Sequence, residues 1–453
     1  MSTSHDPIAE PDQLLLLPGE IELSIPEMLD IAIRLHREQR IDAAEKCYRA
    51  VLSADPDNAN GTHFLGVLLR QRGQGVEALA LIRRSIVLDP TVAAWFNNLG
   101  NALLSEEHYD EASTAYARCA DLDPDNLEVL NNLGILLRRL QRPEEAEEKF
   151  RRAIARAPAF ADAHANLASL LAMHGRLTES FSHFADALAL KPEGVSTRRL
   201  LAISYGKAGR FEEGREVLRR WLLQEPDNAN ALHFLAAYGG GEVPDRASER
   251  YVEEEFDGFA KSFDAKLAAL DYRAPEWVGH ATARLLGEPA AQARILDVGC
   301  GTGLCGPYLR PFALGLTGVD LSGNMLALAR ERGIYDTLVK SELLAFMGNT
   351  DGQYDVVVSA DTLVYFGRLD AVFAAVRRVL ATPGQLVFTL ESHTAATDFT
   401  LQPHGRYSHS RHYVAAELER AGFGAIDIQE VVLRYESAEP VAGWLVCAQP
   451  ARR

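Results

Sequence analysis

Large side chains return along the first half of the chain every 34 residues, at Tyr48, Ile82, Tyr116, Phe150, Phe184 and Leu218. A small residue stands four positions before each (Ala44, Ala78, Ala112, Ala146, Ser180, Gly214), and a proline eight positions after (Pro56, Pro90, Pro124, Pro158, Pro192, Pro226). A fixed period of this length marks stacked copies of one supersecondary unit. Small positions let two antiparallel helices approach, large ones fill the space between hairpins, and proline stops the second helix. The spacing therefore predicts six helical hairpins over residues 25–226, with residues 229–238 opening a seventh that stops at Gly239-Gly240-Gly241.

After the glycines the pattern changes twice. Residues 251–264 place apolar side chains at helical spacing with acids on the opposite face, and a second helix is predicted near 275–286. From Arg294 onward, apolar runs at 295–298, 316–320, 337–340, 354–359 and 385–390 alternate with helical stretches near 323–332, 368–381 and 411–421. That alternation predicts a buried parallel sheet of the doubly wound class. The chain thus divides into a disordered acidic tail (1–24), a repeat domain (25–240), a linker with lid helices (241–290) and a sheet domain (291–453).

The hairpin units, with Leu65-Gly66, Leu99-Gly100, Leu133-Gly134, Leu167-Ala168 and Leu201-Ala202 in their first helices, resemble the tetratricopeptide repeat. The resemblance implies a superhelix whose concave face binds extended peptide. Asn98, Asn132 and Asn166 share one repeat position, and their amides offer donors and acceptors to a peptide backbone of any sequence. Asn97 and Asn131 are expected to cap or face water.

Composition narrows the partners. A net charge of −17 opposes nucleic acid, whose binding rests on Lys and Arg neutralising phosphates. No apolar run approaches the roughly 20 residues of a membrane-spanning helix, and Leu14–Leu17 follows acids rather than the basic region of a signal peptide. No membrane association and a cytoplasmic location are expected. The five cysteines are scattered without metal-ligand spacing, so reduced thiols and no metal are expected. The oligomeric state is not legible.

Gly299, Gly301 and Gly303 follow the first predicted strand directly, where missing side chains admit a ligand close to the backbone. The spacing is GxGxG behind Asp297, not the GxGxxG of dinucleotide folds, and Asp320 ends the second strand where a carboxylate accepts ribose hydroxyls. With Gly318-Val319-Asp320-Leu321-Ser322, Met325 and Tyr354-Asp355-Val356-Val357, this segment resembles class I S-adenosylmethionine-dependent methyltransferases. The resemblance implies a Rossmann-like α/β domain with a seven-stranded mixed sheet, completed by strands near 425–435 and 443–448. It implies S-adenosylmethionine as cofactor and S-adenosylhomocysteine as product. Gly299, Gly301 and Gly303 would border the methionine moiety, Asp320 the ribose, and Ser341, Glu342 and Leu343 the adenine. Asp297, Cys300, Leu321, Met325 and Ser359 complete the expected cofactor set.

Asp361, past the fourth strand, and Tyr365 are placed to face the methyl group, and His409 or Asp361 would take a proton from an amine or hydroxyl acceptor. Together with the repeats, Gly405-Arg406-Tyr407-Ser408-His409 and a helix containing Tyr413 resemble bacterial repeat-containing methyltransferases, which puts Arg406, Tyr407 and Tyr413 beside the substrate. The expected function is methylation of a peptide or protein captured by the repeats. The alternatives are a small-molecule methyltransferase whose repeats serve assembly, and a cofactor-binding scaffold without catalysis.

Overall fold

A computed structural model describes residues 14–17, 21–436 and 439–451. Two short strands, β1 (Leu14–Leu17) and β2 (Ile21–Ser24), pair antiparallel, where a tail without fixed structure was expected. Residues 1–13 and 18–20 of that segment lie outside the described residues. Chain contacts divide the molecule into two compact units, Met1–Thr197 and Arg198–Arg453.

The repeats form helical hairpins, beginning with Ile25–Arg37 and Ile41–Ala54 and ending with Val195–Lys207 and Phe211–Gln224; one further helix, Ala229–Ala237, follows. Close approach of the paired helices explains the Leu-Gly signature. A Cβ on Gly134 would lie 2.5 Å from the Phe150 ring, and one on Gly100 2.4 Å from Tyr116. Asparagine supplies another repeated signal. Asn58, Asn126 and Asn228 cap the helices that follow them, their side chains accepting from the N–H groups of Gly61, Val129 and Ala231.

The second unit is built around a twisted sheet. Its strands are β3 (Ala293–Val298), β4 (Ala313–Asp320), β5 (Thr337–Lys340), β6 (Tyr354–Ser359), β7 (Leu380–Ser392), β10 (Phe423–Glu436) and β11 (Glu439–Pro450), in spatial order β10-β11-β7-β6-β3-β4-β5. The order reverses between β3 and β6. Strands β3 to β7 run parallel, and β11 pairs antiparallel with both β7 and β10. Two short strands, β8 (Phe399–Leu401) and β9 (Tyr407–His409), pair with each other, and β9 also extends the end of β7. Side-chain alternation separates two cores. Leu296, Val298 and Val357 pack with Phe373 and Val414, while Ile295, Val356 and Val358 pack with Val278 of the helix Ala274–Leu286.

This unit also contains the last repeat hairpin from Arg198 onward and the helix Ala229–Ala237 that follows it. His233 donates through Nε2 to the carbonyl of Gly405 at 2.7 Å and stacks on Tyr251 at 3.9 Å between ring centres. Arg199 pairs with Glu255. The segment after the glycines runs beside the chain following β6: Ala247 N–H donates to Tyr365, and Asp245 accepts from Gly367 and Arg368.

Candidate active site

A cavity of about 270 Å³ opens at the carboxyl ends of β3, β4 and β6, the point of reversal where ligands bind in doubly wound sheets. Its floor is the loop after β3. Gly299 has φ 74°, and a Cβ there would stand 2.1 Å from Thr362 Oγ1, so only glycine lets the loop approach the chain after β6 this closely. Gly301 N–H donates to Asp320 Oδ2 at 2.9 Å and Ser322 N–H to Asp320 Oδ1 at 2.8 Å. Each oxygen keeps a lone pair for another donor. Burial pushes the Asp320 carboxyl above its usual range against the pull of these N–H groups.

Helices Glu249–Phe259 and Phe263–Ala269 wall the cavity. They are fastened to the sheet by polar contacts: Asp257 accepts from the Ser322 hydroxyl, Asp264 from Thr302 Oγ1 at 2.6 Å and from Arg332, and Glu253 pairs with Lys340 at 2.7 Å. Their inner surface is aromatic. Phe256 lies 5.7 Å from Phe259, 5.9 Å from Phe263 and 5.5 Å from Tyr365 between ring centres.

The wall beyond β6 is charged. Arg434, 2% exposed on β10, donates to Asp361 Oδ2 at 3.1 Å, to Glu436 at 2.7 Å and to Glu391 of β7, itself 3% exposed. Arg406 donates to Glu391 and Glu436, each at 2.5 Å. Three carboxylates thus share two guanidinium groups. Asp361 adopts φ 57°, a left-handed conformation that aspartate tolerates better than most residues, and its N–H donates to Thr389 Oγ1 at 2.9 Å. Its Oδ1 is buried without a hydrogen-bond partner. Burial raises the Asp361 carboxyl above its ordinary range in spite of Arg434, whereas Arg406 and Arg434 overcome the same burial at Glu391 and hold it low.

Of the residues singled out in sequence, Gly299, Cys300, Gly301, Asp320, Leu321, Ser341, Glu342, Leu343, Asp361, Tyr365 and Arg406 line the cavity. Glu342 has both oxygens engaged: Oε2 caps the helix Leu343–Asn349 by accepting from Ala345 N–H at 2.7 Å, and Oε1 pairs with Arg246 at 2.9 Å. Other expectations require correction. His409 is fully buried in β9, its Nε2 bonded to the Gly367 carbonyl at 3.0 Å and its ring stacked on Tyr413; burial lowers its pKa to about 4. It does not line the cavity. Tyr407 is buried and donates to the Pro244 carbonyl, and the Tyr413 hydroxyl accepts from Leu369 N–H, so both brace the fold. Met325 and Ser359 are buried in the sheet domain, the Ser359 hydroxyl donating to the Val298 carbonyl. Gly303 packs against Tyr335 and Arg332. Asp297 is buried beneath the loop, accepting from the Tyr335 hydroxyl at 2.6 Å, and burial raises its pKa to about 7.

Sequence reasoning missed Arg434, Glu391, Glu436 and the lid phenylalanines. The available signal was a charge inside an apolar strand, as in Leu433-Arg434 and Leu390-Glu391. In the first unit the amides of Asn132 and Asn166 donate to Asn97 and Asn131 of the preceding repeat, each at 2.9 Å, and Asn98 bonds His63 at 2.9 Å. Asn97 and Asn131 are therefore buried acceptors, not the water-facing or capping residues expected.

A methyltransferase-domain family model matches residues 296–388. Tetratricopeptide-repeat models match residues 29–93, 88–159, 136–195 and 171–238. Methyltransferase-like protein 27 of Homo sapiens is 40% identical over 104 residues, a stretch that spans 23% of this chain and 40% of that protein's length. Among solved structures, Pseudomonas aeruginosa pilF is 17% identical over 47% of this chain and 96% of its own, with a TM-score of 0.41. A tetratricopeptide-repeat protein of Thermus thermophilus is 19% identical over 40% of this chain and 98% of its own, with a TM-score of 0.37. Among the described residues no helix is long and apolar enough to cross a membrane.

Proposed function

From a chain in which tetratricopeptide repeats precede a class I methyltransferase domain, we propose S-adenosylmethionine-dependent methylation of an amine nitrogen on a peptide or protein that the repeats recruit. One observation carries the reading: a single cavity joins the Gly299–Gly301 loop and Asp320 to the buried Asp361, which has one unpaired oxygen. The loop residues fit the cofactor, because the backbone is bare where Gly301 faces the cavity and Asp320 retains acceptor capacity for a ribose diol. Ser341 and Leu343 border the adenine in this reading. When bound, S-adenosylmethionine supplies a methyl group on a positively charged sulfur.

The residues around Asp361 favour an amine. Three carboxylates against two guanidinium groups leave negative charge uncompensated, which repels an anionic acceptor and suits a protonatable nitrogen. Aromatic walls from Phe256, Phe259 and Tyr365 exclude water and favour the neutral, nucleophilic amine. Asp361 Oδ1 would accept the proton that the nitrogen sheds as its bond to the methyl carbon replaces the carbon–sulfur bond, the sulfur leaving as a neutral thioether. Alignment of nucleophile and methyl group supplies most of the remaining acceleration.

The repeats support a protein substrate through the ladder amides. Asn132 and Asn166 each give one N–H to the neighbouring repeat, which leaves the other N–H and the carbonyl oxygen for a peptide backbone. Holding a substrate on the same chain raises its effective concentration at the cavity. Incubating the protein with cell extract and methyl-labelled S-adenosylmethionine tests the reading. Label is expected in protein, at a rate reduced by at least about tenfold in the Asn98→Ala/Asn132→Ala/Asn166→Ala variant. Label found only in small molecules would remove the peptide reading.

A further inference from the structure

Outside the catalytic domain, the fifth hairpin gathers two histidines and a carboxylate from facing helices. His164 stands on Ala161–Met173; His183 and Asp186 stand three residues apart on Leu177–Leu190, the spacing that puts two side chains on one helix face. His164 Nδ1 lies 3.1 Å from His183 Nδ1 and 3.4 Å from Asp186 Oδ2, and His183 Nδ1 lies 3.8 Å from the same oxygen. Tetrahedral zinc bonded to nitrogen and oxygen at about 2.0–2.2 Å separates its ligand atoms by about 3.3–3.6 Å, within the observed spread.

The protonation of His164 is set from outside the trio. Its Nε2 lies 3.1 Å from the carbonyl oxygen of Pro158, which can only accept, so Nε2 carries the proton and Nδ1 presents a lone pair to the other two residues. Metal-ligating histidines make this outer hydrogen bond almost without exception. Side-chain exposure rises from 7% at His164 to 17% at His183 and 51% at Asp186, so the trio is closed on the protein side and open to water on the other. Imidazole and carboxylate together suit a borderline transition metal better than magnesium or calcium.

We propose that His164, His183 and Asp186 form a zinc site that pins together the two helices of the fifth repeat. Cysteine spacing held no hint of it, because the ligands lie on two helices joined only by the hairpin. Tag-free full-length protein, stripped with chelator and dialysed, is titrated with zinc chloride by calorimetry. One equivalent is expected to bind and to raise the thermal midpoint, and cobalt(II) in its place should give the intense visible bands of a tetrahedral ion. His183→Ala and Asp186→Asn lie on the partly exposed side, so the helices are expected to keep their circular dichroism. Zinc affinity should fall at least about tenfold in each, with the thermal shift lost. A parent protein that binds no zinc, or variants that bind it as tightly as the parent, would overturn the proposal.

Discussion

Asp361→Asn is expected to lower the single-turnover rate by about 10²–10⁴-fold, the range for loss of a positioned general base, while S-adenosylmethionine affinity changes by no more than a few fold. Asparagine matches aspartate in size and also tolerates the left-handed backbone of φ 57°, so the loop after β6 keeps its course. What disappears is a buried carboxylate oxygen without a hydrogen-bond partner, the group that can take a proton. The pH dependence gives a second readout. Burial raises the Asp361 carboxyl, so the parent rate should climb with pH through an apparent pKa above the ordinary aspartate value of about 3.9. That limb should vanish in the variant. A rate unchanged by the substitution would show that the amine reaches the cavity already deprotonated, and a large loss of cofactor affinity would place Asp361 with the cofactor instead.

Arg434→Met is expected to destabilise the protein by about 3–5 kcal/mol, the usual cost of stranding buried charges by removing their partner. Methionine fills the volume but leaves Asp361 without the guanidinium that bonds its Oδ2 and Glu391 dependent on Arg406 and His404. The sign with pH follows from the lowered groups. Glu391 and Glu436 have folded-state pKa values below their ordinary range, Glu436 at about 2, so their pairing stabilises the parent above the unfolded carboxylate pKa. That contribution is lost as pH falls through the folded values. The difference between parent and variant in urea midpoint should therefore be large at pH 7 and shrink only as pH falls below 4.5 toward pH 3. Equal differences at pH 7 and pH 3 would mean the arginine acts through packing alone.

The repeats were legible because each hairpin restates the same steric demand, a bare Cα against Phe150 or Tyr116. The glycine loop and Asp320 were legible because their function is written in a few adjacent backbone positions. The charged wall was hidden for the opposite reason. Glu391 and Arg434 are 43 residues apart and meet only because β11 enters between β7 and β10, a pairing that apolar periodicity does not specify. His409 was misplaced by its polar neighbours: three residues of β9 are too few to show an alternation, yet pairing with β7 buries the ring against Tyr413. Asn97 and Asn131 were misread because a buried amide bonded across repeats has the same sequence signature as a solvated one.

Calorimetric titration of the full-length protein with S-adenosylmethionine tests the central claim most directly. Saturable binding of one equivalent is expected, with affinity falling at least about 100-fold in Asp320→Ala, since the variant loses both the ribose acceptor and the Gly301 N–H contact that shapes the loop. A parent protein that binds no S-adenosylmethionine, or an Asp320→Ala variant that binds it as tightly as the parent, would contradict the assignment of this cavity.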